Sequence, residues 1–119
     1  MEPDLRACGE EGHAFLLAAT ALGGELGYGQ RELSHPAWAA HGGVLGFLKC
    51  VGMEWAEVLV RTVDVDRSRD AGDLADFLLQ ELSDRHGPLE VGYRERVRLT
   101  WEPEAAPLDC DDEKSRRVL

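Results

Sequence analysis

The chain has 119 residues, 44% of them hydrophobic, and a formal net charge of −10. That length fits one small domain with its own core. The acidic balance excludes a nucleic-acid surface, which needs lysines and arginines to neutralise phosphates, and it argues against an anionic membrane surface.

The opening "MEPDLRACGEEGH" lacks the basic and apolar regions of a secretory signal. No apolar run approaches the ~20 residues of a transmembrane span. A cytoplasmic protein is therefore expected, with residues 1–12 forming a disordered or flexible arm. "HAFLLAATAL", from His13 to Leu22, is a short apolar run ending in glycines, as in a strand of a parallel sheet buried on both faces. "GGELGYGQRELSHP" follows as a flexible loop, in which Ser34 and Pro36 supply helix-start chemistry. Val44, Phe47, Leu48, Val51 and Trp55 then form one helical stripe, and Lys49 falls off it toward solvent.

"VLVRTVDVD", Val58 to Asp66, is a β-branched strand. In the next segment Asp70 reads as an N-cap and Asp73 lies in the first turn, where the helix dipole favours an anion. Leu74, Phe77, Leu78 and Leu82 read as its buried face, and Gly87 and Pro88 stop it. "LEVGYRERVRLTW" alternates as one or two strands, with a hairpin turn near Arg94–Glu95. The order β-α-β-α-β(β) predicts an α/β fold with a parallel sheet, flanking helices, right-handed crossovers and a C-terminal edge strand or hairpin. Residues 103–119 read as an acidic linker or tail.

Four constellations are candidates for chemistry. The loop "TALGGELGYGQ" could cradle a phosphate, with Thr20, Gly27 and Gly29 as its weak cofactor-binding candidates. Its best G-x-G-x-x-G register places Glu32 at the third glycine, an anion where a pyrophosphate should lie, so a plain turn is favoured. "HGGVLGFLKCVGMEW", His41 to Trp55, resembles the helix of short-chain dehydrogenases/reductases that carries Y-x-x-x-K. Aligned on that pattern it has Ala37 for the tyrosine and His41 for the lysine. Alanine moves no proton, so no catalytic residue is expected, and the helix glycines are read as allowing close approach to the sheet.

The acids Asp64, Asp66 and Asp70 sit near Arg61, Arg67 and Arg69, so local ion pairs and capping are expected to explain them. Arg94, Arg96 and Arg98 alternate as a basic stripe that offers weak evidence for an anion partner. Metal binding is not expected. Cys8, Cys50 and Cys110 have no C-x-x-C spacing, and His13, His35, His41 and His86 show no ligand motif. Buried or idle thiols are expected instead.

Taken in order, "FLLAATALGGELG", "HGGVLGFLKCVGMEW", "VRTVDVD", "LADFLLQELSD" and "PLEVGYRERVRLT" resemble the structural subdomain of ketoreductases in type I polyketide synthases, the polyunsaturated-fatty-acid type especially. G-x-x-K-x-x-x-x-E-W and E-V-G-Y-R carry the likeness best, over roughly residues 13–102. The resemblance implies a truncated Rossmann-like subdomain without cofactor or catalysis of its own. It would brace a catalytic half that holds NADPH and reduces a β-ketoacyl group on an acyl carrier protein. "EKSRRVL" resembles the approach to that half's first strand. The implied partners are the catalytic half and, through the whole synthase, the acyl carrier protein. A second copy of the chain is also allowed. The alternatives are a minimal NADP-binding short-chain reductase and a stand-alone dimeric interaction module.

Overall fold

The computed structural model describes residues 2–12, 14–29 and 39–106. Their elements are α1 (Glu2–Glu10), β1 (Phe15–Thr20), α2 (His41–Glu54), β2 (Leu59–Val65), α3 (Ala71–Ser83), β3 (Glu90–Arg94) and β4 (Val97–Leu99). The expected α/β class and truncated Rossmann-like sheet are present. The strands lie in the order β1-β2-β3-β4, the first three parallel and β4 antiparallel. The terminal hairpin turns at Glu95, whose φ of 56° lies in the left-handed region.

Alternation along the strands divides the core between the two sheet faces. On one face Leu48 and Val51 of α2 pack on Ala14, Val58 and Val60, with Leu16 and Ala18 beside them. On the other, Phe77 of α3 packs on Val63, Val65, Val91 and Tyr93. The Phe77 and Tyr93 rings stack at 4.2 Å between centroids. β1→β2 and β2→β3 step in the same direction, so two right-handed crossovers would put both helices on one face. They lie on opposite faces, so one crossover has the rarer hand, a departure from the expected topology.

Three local expectations are corrected. The segment read as an arm carries α1, joined to the body where Arg6 pairs with Glu57 at 2.6 Å. On α2 the buried residues are Leu45, Leu48 and Val51, whereas Phe47 is 65% exposed. On α3, Glu81 takes the buried position that was assigned to Leu82, which is 46% exposed. Ser34, Pro36 and Ala37 lie outside the described residues, as do 107–119 of the expected tail. No helix among the described residues is long and apolar enough to cross a membrane.

Candidate functional site

Asp64 stands near the C-terminal end of the central strand, in register with Thr20 on one side and Gly92 on the other. Its carboxylate is fully buried. Oδ1 accepts hydrogen bonds from the Thr20 hydroxyl at 2.6 Å and the Leu22 amide at 2.7 Å. Oδ2 accepts from the amides of Gly24 at 2.7 Å and Leu26 at 2.9 Å. A carboxylate offers about four lone-pair sites, and all of them are filled from within the chain. Alternate amides of the loop after β1 converge on one anion, as they do in phosphate-binding nests, but the anion is Asp64.

The loop is held from its other sides as well. His41, the first residue of α2, accepts the Ala21 amide at Nδ1 at 3.0 Å. Gly24 takes a φ of 84° and lies against the Tyr93 carbonyl, while Gly92 lies against the Gly24 carbonyl. A Cβ at either position would run into backbone. Leu22, Leu26 and Leu45 form a small core under the loop, with Trp101 packed against it and stacked on Tyr28 at 5.8 Å.

The structure thus brings Thr20, His41 and Asp64 together around one loop. Gly27 has a φ of 81° and turns the chain outside the amide cluster, and Gly29 lies against the Glu25 side chain. Neither belongs to the group of amides that face Asp64. A nucleotide pyrophosphate would have to displace the buried carboxylate from those amides, so these residues do not fit the group.

A second filled carboxylate lies on the opposite face. Glu81 Oε1 accepts from the Tyr93 hydroxyl and from Arg98 Nε, each at 2.6 Å. Its Oε2 accepts from Arg98 Nη2 at 3.0 Å and Arg61 Nη1 at 3.1 Å. Burial alone would raise the Glu81 carboxyl. The hydrogen bonds from Arg98 and Tyr93, with the charges of Arg98 and Arg61, outweigh it and hold the group below its ordinary range. Burial, then the bond to Glu81 and its charge, push the Tyr93 phenol up to about 12.

Arg61 also donates to the carbonyls of Glu81 at 2.6 Å, Asp84 at 2.7 Å and Pro88 at 3.0 Å. A buried guanidinium at a helix C-terminus satisfies the last carbonyls and opposes the negative end of the dipole. Arg61 therefore does not pair with the neighbouring aspartates, as local ion pairing predicted. Asp70 is the expected N-cap, accepting from the Gly72 amide at 2.9 Å. Asp66 folds back on Ser68, accepting from its amide at 3.0 Å and its hydroxyl at 2.7 Å.

The expected basic stripe is taken up internally: Arg94 pairs with Glu25, Arg96 with Asp73 and Arg98 with Glu81. Lys49 is partly exposed and pairs with Glu90 at 3.0 Å, and that hydrogen bond raises its pKa. The helix glycines do not serve close approach as a set. Gly42, Gly43 and Gly46 face open space, and Gly52 alone of the four meets the sheet side, at Leu89 and Val60. Cys8 and Cys50 are free and exposed rather than buried. Among the described residues no group of His, Cys, Asp or Glu has the arrangement to hold a metal ion. A cavity of about 310 Å3 lies at the hairpin against Arg94, Glu95, Val97 and Leu99, where Arg94 is already engaged by Glu25.

Sequence reasoning missed Glu81, although its spacing from Leu74, Phe77 and Leu78 puts it on their face of the helix. It also missed the partners of Asp64, which are three backbone amides and the Thr20 hydroxyl some forty positions away. Comparison with protein-family models, curated proteins and solved structures gives no match.

Proposed function

We propose that the chain is a non-catalytic scaffold subdomain of a polyketide-synthase β-ketoacyl reductase, which braces the NADPH-binding catalytic half. One observation carries this reading: Asp64 fills the loop amides that a dinucleotide-binding loop offers to a pyrophosphate. The ordered resemblance over residues 13–102 supplies the family, and the small α/β sheet suits its truncated subdomain. Thr20 and His41, which stand where cofactor and catalytic groups would be sought, are engaged in holding the same loop. In this reading NADPH and the reacting β-ketoacyl group belong to the catalytic half, and the present chain orients that half without touching either.

The test mixes this chain with a separately expressed catalytic half from the same source. The expected result is a higher melting temperature and higher ketoreductase activity of that half. If both stay unchanged, the bracing role is wrong.

A further inference from the structure

We propose that the free edge of β1 is a pairing surface for a second copy of this chain, joined antiparallel about a two-fold axis at Leu17. The inference is independent of the bracing role. β1 pairs with β2 on one side only. The Leu59 amide donates to the Ala14 carbonyl at 3.2 Å, so the backbone groups of Ala14 face β2. Strand alternation then turns those of Leu16, Ala18 and Thr20 the same way, and those of Phe15, Leu17 and Ala19 outward. The next outward amide, that of Ala21, is the one taken by His41, which closes the edge at that end. No described residue pairs with the outward groups of Phe15, Leu17 and Ala19.

Such a row of unpaired groups is a template for another strand, and proteins that keep an edge free protect it with charge, proline or brevity. β4, at the far side of the sheet, has three residues, follows Arg96 and contains Arg98. β1 is "FLLAAT", six residues without charge or proline.

Charge permits contact at this edge, and the pattern of the strand selects a second copy. A chain of net charge −10 repels itself over most of its surface, and residues 15–20 are a segment where no charge opposes contact. The strand is also self-complementary. With Leu17 opposite its own equivalent, Phe15 falls opposite Ala19, and Leu16 opposite Ala18. Phe15 and Leu16 then each meet an alanine, Leu17 meets its own equivalent, and the outward groups form the directly hydrogen-bonded pairs of an antiparallel ladder.

The test is sedimentation of the full chain over a dilution series, with amide hydrogen exchange at each end of the series. The expected result is a sedimenting mass that doubles with concentration. Protection of the Phe15, Leu17 and Ala19 amides should rise with it, while Leu16 and Ala18 stay protected throughout. Ala19→Pro, which removes one outward donor, should lower the dimer fraction at a given concentration. A monomer at every concentration overturns the proposal. So does a dimer whose outward amides exchange freely, protection of those amides in the monomer (another part of the chain then covers the edge), or open-ended assembly.

Discussion

The Asp64 carboxylate accepts the Gly24 amide at 2.7 Å across the end of the sheet, and the same oxygen accepts Leu26 at 2.9 Å. These contacts tie the glycine loop to the central strand. Asp64→Ala would leave three amides and a hydroxyl buried without an acceptor. A loss of about 3–5 kcal/mol is expected, readable as a lower urea midpoint. Asp64→Asn should also destabilise, because one of its side-chain atoms becomes a donor facing donors. A midpoint unchanged in both variants would show that the loop is held by other means.

The glycines separate into two kinds with opposite outcomes. Gly24→Ala and Gly92→Ala drive a Cβ into facing backbone, and each should cost about 2 kcal/mol or more. Gly46→Ala lies in the α2 interior facing open space and should stabilise by about 0.5–1 kcal/mol. Thermal melts of the three variants check the signs.

Glu81 ties α3 to Arg61 of β2 and Arg98 of β4, so Glu81→Ala strands two arginines. The expected loss is about 3–5 kcal/mol, measured by denaturant unfolding. Because its native pKa lies below the ordinary 4.5, its contribution is complete above that pH. It is lost as pH falls through the native value. Glu81→Gln should flatten the stability profile in that acid window.

Tyr93 gives the alkaline counterpart. Its phenol is held protonated to about 12 in the folded chain, against an ordinary value of 10.0. Unfolded chains therefore release this proton first, and the stability it confers is present below pH 10.0 and declines toward about 12. Tyr93→Phe should be less stable than the parent at neutral pH, and the gap should narrow across that window in paired unfolding curves. A constant gap would contradict the assignment.

Local chemistry made much of this fold legible. The apolar run at β1, the β-branched run at β2, the Asp70 cap and the alternating hairpin each depend on neighbours in sequence, and each is where the spacing put it, although β1, read as buried on both faces, is an edge strand with Ala19 exposed. The failures are tertiary. Phe47 fits the α2 stripe as well as Leu45 does, and only the placement of the sheet decides which is covered. Glu81 is polar, so hydrophobic patterning passes over it, although the burial of Arg61, Tyr93 and Arg98 around it makes a carboxylate the right occupant. α1 has no apolar periodicity, and its place depends on Arg6 meeting Glu57, fifty-one residues away. The degenerate glycine fingerprint was visible in the sequence, while the carboxylate that fills its amides required the register of β1 on β2.

Whether the Thr20–Gly29 loop is closed to nucleotides decides between the scaffold and the reductase readings. The most direct measurement is calorimetric titration of NADPH into the full chain. A loop filled by Asp64 predicts no saturable heat. Saturable micromolar binding that disappears on substitution within Thr20–Gly29 would contradict it, and would favour the minimal NADP-binding reductase instead.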